Sequence, residues 1–161
     1  MAHSFKRAAE LFRAAAEGGN SKAYKSLGYM YYFGTGVTQD PEYAAELFRL
    51  GAEDERAKSE FALGFLYYHG EAVEMDHARA FTLFHRAAQQ GLTDAQVFIG
   101  RMLAEGDGTA QDVAKAWFWF TLAEAQDPSI AAYYFSKYDA ALNSNLKQAA
   151  RLRARLWVPK S

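Results

Sequence analysis

The sequence predicts an all-α protein, a solenoid of about four stacked helix hairpins. Three observations carry that prediction. Several columns of residues recur at a fixed step of 36 residues, apolar residues inside each step follow helical spacing, and glycine and Asp-Pro pairs punctuate the steps. Leu27-Gly28 recurs as Leu63-Gly64 and Ile99-Gly100, Gly34 as Gly70 and Gly106, and Asp40 as Asp76 and Asp112. Ala8, Ala44, Ala80 and Ala116 form a further column, as do Phe12, Phe48, Phe84 and Phe120, and Ala15, Gly51, Ala87 and Ala123. Independent columns in one ungapped register do not arise by chance.

The first helix of the unit carries Ala23, Leu27 and Tyr31 on one face. Gly28 sits inside that helix, where glycine costs about 1 kcal/mol against alanine. Its recurrence points to close approach by a neighbouring helix. Gly34-Thr35-Gly36 ends the helix, since glycine suits the left-handed C-cap. Asp40-Pro41 opens the second helix as N-cap and first-turn proline, and Ala44, Phe48 and Gly51 supply its inward stripe.

In this register the first helices fall near 21–33, 56–69, 93–105 and 128–142, and the second helices near 4–17, 40–53, 76–90, 112–126 and 145–157. The chain thus reads as a single repeat domain over 1–161: a lone leading helix at 4–20, full repeats at 21–55, 56–92 and 93–127, and a divergent repeat with a C-terminal capping helix at 128–161. Opening on a lone second helix is what an array truncated at its N-terminus would show. Asp127-Pro128 repeats the capping device, but Phe135-Ser136 replaces Leu-Gly and Leu142 replaces a glycine. Terminal repeats deviate because they must close the stack. Ser144 is the expected N-cap of the final helix.

Composition removes several function classes. Half the residues are hydrophobic and 16% aromatic, which excludes a disordered chain. Eighteen basic residues against 19 acidic ones give a net charge of −1, so no nucleic-acid footprint exists. The C-terminal Lys147, Arg151, Arg153, Arg155 and Lys160 read as dipole-favoured residues of a last helix. With no cysteine, disulfides, thiolate catalysis and sulfur-based zinc sites are absent. No apolar run nears the ~18 residues of a membrane span, so no membrane insertion is expected. No signal peptide stands at the N-terminus, which reads as cytoplasmic, or as periplasmic or secreted if a leader has been removed.

The repeat signature resembles the Sel-one-like repeat family, relatives of the tetratricopeptide repeats. The residues are Ala23-x3-Leu27-Gly28-x2-Tyr31-x2-Gly34-x-Gly36-x3-Asp40-x3-Ala44, repeated from Leu63 to Ala80 and from Ile99 to Ala116. Departures occur at Ala72, at Leu103 in the tyrosine column, and through the last unit. The resemblance implies a right-handed α/α superhelix with a concave face lined by first helices. It also implies a bacterial adaptor or scaffold that holds a protein or peptide. A cysteine-rich branch of the family is associated with β-lactam binding, and this chain lacks that branch's disulfide pairs.

Helical geometry nominates the residues of such a face. With Leu27 at the core, Lys25, Tyr29 and Tyr32 point away from it, and the same positions one repeat later are Phe61, Phe65 and Tyr68. Further on, Arg101, Tyr133 and Lys137 stand in these columns. Aromatics and Arg are enriched at interface anchors. Repeat-to-repeat burial of Tyr29, Phe65 and Tyr68 is the competing expectation, while Lys25, Arg101 and Lys137 are expected to be exposed and to favour an acidic or carboxylate-bearing peptide.

Catalytic and metal patterns are weak. His77 and His85 lie about 12 Å apart along one helix, too far to share an ion, and His69 ends the preceding helix. Gly34-Thr35-Gly36 and Gly106-Asp107-Gly108 lack the following Lys-Ser/Thr of a phosphate loop. Ser144-x-x-Lys147 matches one fragment of the penicillin-recognising signature without its partner motifs. No catalytic residue, metal or cofactor is therefore expected. The expected molecule is a non-enzymatic scaffold, monomeric or a weak homo-oligomer. The alternatives are an envelope protein that binds or hydrolyses β-lactams, and an immunity or regulatory protein that blocks one cognate enzyme.

Overall fold

Helix ends fall where caps are chemically available. In the computed structural model, which describes residues 2–53 and 57–160, every regular element among the described residues is a helix. Its elements are α1 (Ala2–Glu17), α2 (Ser21–Phe33), α3 (Pro41–Glu53), α4 (Ala57–His69), α5 (His77–Gln89), α6 (Thr93–Glu105), α7 (Val113–Glu124), α8 (Pro128–Tyr138) and α9 (Ser144–Arg155), with a 3-10 turn at Asp139–Ala141. The expected repeat boundary at 55/56 lies outside the described residues. Asp40 accepts the Tyr43 N–H at 2.9 Å, Asp112 that of Lys115 at 2.9 Å, and Asp127 those of Ser129 at 3.0 Å and Ile130 at 3.3 Å. Gly34 and Gly106 end α2 and α6 in the left-handed conformation, each donating its N–H to the carbonyl four residues back.

The helices gather into two units, one ending at Asp76 and the other beginning at His77. In the first, α2 pairs most closely with α3, with α1 against α2 and α4 against α3 and, more lightly, α2. Leu27, Leu47, Phe48, Ala44 and Leu66 form its interior at 2% exposure or less. The hairpin locks through Gly28: a Cβ there would lie 2.6 Å from Cε1 of Phe48. Close approach was expected from the sequence; the approaching group is a phenyl ring from the hairpin's own second helix. Gly100 and Phe120 repeat the device in the second unit, with the ring closer still.

The second unit pairs α6 with α7, and sets α5 against α6 and both α8 and α9 against α7. Phe84, Ile99, Met102 and Phe120 are fully buried there. Three expectations need correction at this end. The first helix of the last repeat stops at Tyr138 and gives way to the 3-10 turn, instead of running to 142. The N-cap of α9 is Asn143, whose side chain accepts the Leu146 N–H at 3.0 Å, so Ser144 is the first helical residue.

Thirdly, α9 does not continue the hairpin register beside α8; it lies along α7. The Trp157 ring meets Trp119 at 6.4 Å, and the Lys160 N–H donates to the Gln89 carbonyl at 2.8 Å. Contact with α8 includes the Arg151 guanidinium, 5.8 Å from the Phe135 ring. The cause is the composition of α7. Where the earlier second helices place exposed Glu46 and Thr82, α7 has Phe118. A helix that is apolar nearly all round must be covered on a further side.

Candidate interaction face

In the first unit the nominated residues are Lys25, Tyr29 and Tyr32 on α2 and Phe61, Phe65 and Tyr68 on α4, and all six are half-buried. Tyr29 sets its ring against Phe48 at 5.0 Å, edge to face, so part of its surface serves the core. Its other neighbour is Phe33, stacked at 6.2 Å, and Tyr32 meets the same Phe33 ring at 4.8 Å. Phe33 itself is 66% exposed. The nomination missed it, although it stands one helical turn beyond Tyr29 and so shares its face.

On α4, Phe65 and Tyr68 both lean on the exposed His69, at ring distances of 4.2 and 5.2 Å. The Tyr32 hydroxyl donates to Glu71, in the loop after α4, so the C-terminal ends of α2 and α4 are tied together. That bond, with burial and the charge of Glu71, pushes the Tyr32 phenol up to about 12. The Tyr32 carbonyl is held as well, by the Gln39 side chain at 2.9 Å. The first unit thus presents a fixed aromatic surface with an acid and an imidazole at its edge.

The second unit is different in kind. Lys137 was expected to be exposed, and it is, but its ammonium bonds Glu105 at 2.8 Å. Tyr138 donates to the same carboxylate at 2.9 Å. The bonds to Glu105 and Tyr138 raise Lys137 above its ordinary range. Glu105 is held below the usual carboxylate range: burial works against this, and the bonds from Lys137 and Tyr138 with the nearby Arg101 outweigh it. Arg101 and Lys25 are half-buried, contrary to expectation, and the Arg101 guanidinium lies 4.7 Å from the Phe98 ring. Tyr133 is 63% exposed. The Glu105 carboxylate offsets much of the positive charge that had suggested an acidic partner.

Away from these faces, His77 bonds Asp107, and His85 rests on Phe81 and Trp119. Among the described residues no three His, Asp or Glu side chains gather to hold a metal ion. Lys147, one turn beyond Ser144, has its ammonium on Asp139 at 2.6 Å and 5.1 Å from the Trp117 ring. No helix among the described residues is long and apolar enough to cross a membrane.

The repeat signature and the hairpins together match one family description, Sel1 repeat, over residues 3–20, 21–54, 57–92, 93–128 and 124–137. The chain belongs to the Sel1 repeat family. Proteins built on Sel1 repeats commonly mediate protein–protein interaction. Among solved structures, the chain is similar to a Sel1 repeat protein from Oxalobacter formigenes, with a TM-score of 0.75 and 29% identity over 81% of this chain and 98% of that one. It is also similar to a protective antigen of uropathogenic Escherichia coli strains that displays an SLR fold, with a TM-score of 0.68 and 25% identity. That likeness covers 93% of this chain but 40% of the longer antigen. Comparison with curated proteins returns no match.

Proposed function

We propose that this Sel1 repeat chain is a bacterial protein- or peptide-binding scaffold without turnover, and that its first-helix faces take the partner. The observation that carries the reading is Phe33, 66% exposed yet fixed between Tyr29 and Tyr32 on a surface that α4 extends with Phe65, Tyr68 and His69. Rigid, partly exposed aromatics bind at low entropic cost, and clusters of them mark interaction sites more often than ordinary surface. Tyr133 offers a smaller foothold in the second unit. Both solved relatives come from bacteria, which supports the bacterial reading. An inhibitor that blocks one cognate enzyme is a special case of the same surface.

The test is affinity capture from lysate of the source organism with mass spectrometry. Wild type runs beside Phe33→Glu, with Leu11→Glu, a similarly exposed apolar site on α1, as the matched control. A partner held by wild type and Leu11→Glu but lost by Phe33→Glu supports the reading. A partner indifferent to Phe33→Glu moves binding elsewhere.

A further inference from the structure

Because α9 lies along α7 instead of beside α8, it roofs one side of a half-open cleft against α5 and α7, about 350 Å³ in volume. The floor, from α7, is apolar: Phe118 and Trp119 with Ala114, while α9 adds Leu146, Ala149 and Ala150. The rim is cationic or basic: Lys115 from α7, Arg153 from α9 and His85 from α5. No lining residue is acidic. Asp112 bridges Lys115 from outside the cleft at 3.0 Å, so Arg153 is the cation that most defines the rim. Its guanidinium is of the kind that forms paired hydrogen bonds with a carboxylate.

The floor is also built rather than incidental. Trp119 is 6% exposed and held by Phe118 at 5.1 Å, His85 at 5.6 Å and Trp157 at 6.4 Å. The position of Phe118 is filled by exposed Glu46 and Thr82 in earlier repeats, so this aromatic bed belongs to the last full repeat alone. Ligand pockets run from about 300 to 1,000 Å³, which places this one at the size of a single aromatic ring with a short acid chain.

We infer that the α5–α7–α9 cleft binds a small carboxylate on an aromatic body, ring against Phe118 beside the nearly buried Trp119 and acid on Arg153. It is a site separate from the first-helix faces and does not depend on them. The carboxylate has two sources, a free small acid or the C-terminus of a peptide that ends in an aromatic residue.

The test is calorimetric titration of the full chain with 4-phenylbutyrate, with 4-phenylbutanol as its uncharged counterpart, and with Gly-Gly-Phe as free acid and as amide. Saturable binding of an acid is expected, weakened at least about tenfold by removal of the charge or by Arg153→Ala. Arg155→Ala, which removes a neighbouring charge of α9 that does not line this cleft, should change affinity by less than about twofold. Tighter binding of the tripeptide acid assigns the site to chain termini, and tighter binding of phenylbutyrate assigns it to small acids. No saturable binding of either acid, equal binding of the alcohol, or equal loss in Arg155→Ala overturns the inference.

Discussion

Two glycine positions and one alanine decide how the hairpins close. Gly28 and Gly100 receive the rings of Phe48 and Phe120, which are 1% and 0% exposed and have nowhere to move. Gly28→Ala should therefore destabilise by about 1–3 kcal/mol through overpacking, readable as a lower denaturant midpoint. Gly36 and Gly108 hold positive φ, and a Cβ on either would collide with backbone atoms of Phe5 or His77. The second repeat has Ala72 at this position, with φ 59°. An L-residue there costs roughly 1 kcal/mol against glycine. Ala72→Gly should thus raise stability by about that amount; an unchanged or lower midpoint would show that the loop is not strained. The sequence marked Ala72 as a departure from the signature, and the backbone angle gives that departure its physical meaning.

At the scale of elements, the helices and their caps were legible because propensity, periodicity and punctuation agree, and Asp40, Gly34 and Asp127 do what those residue types do elsewhere. The course of α9 was not legible from register alone, since a helix can fill its register slot or leave it. The signal lay in α7, where Phe118 breaks a polar column. If α9 is held by its contact with α7, Trp157→Ala should cost about 2 kcal/mol, below the loss for a fully buried tryptophan, and melt the second unit earlier. His85, which rests on the same Trp119 ring, gives a pH signature. Burial, and then the charge of Lys160, hold the imidazole below its ordinary value, while Lys115 and Arg153 line the same cleft. A depressed histidine contributes stability that is present above the unfolded value, about 6.5, and is lost as pH falls. The melting temperature of wild type should therefore drop between about pH 7 and 5, and His85→Leu should flatten that part of the profile. The candidate face was half legible: helical geometry nominated Tyr29 and Phe65, but could not foresee that Phe48 would claim part of Tyr29, nor that Glu105 would take Lys137.

For the whole molecule, a net charge of −1 and the Lys137–Glu105 pair argue that apolar burial, more than charge, drives partner capture. Affinity should then change by less than about threefold between roughly 50 and 500 mM salt, whereas a charge-steered complex would weaken steeply. In a repeat protein, stability is close to a sum of neighbour terms, so a substitution on an exposed face can remove binding and leave folding intact. The direct measurement is the dissociation constant of the captured partner for wild type and for Phe33→Glu, by calorimetry, with melting temperatures compared alongside. An increase of at least about tenfold at an unchanged melting temperature is the expected result. Equal affinities in the two proteins would contradict the assignment of binding to the aromatic first-helix face.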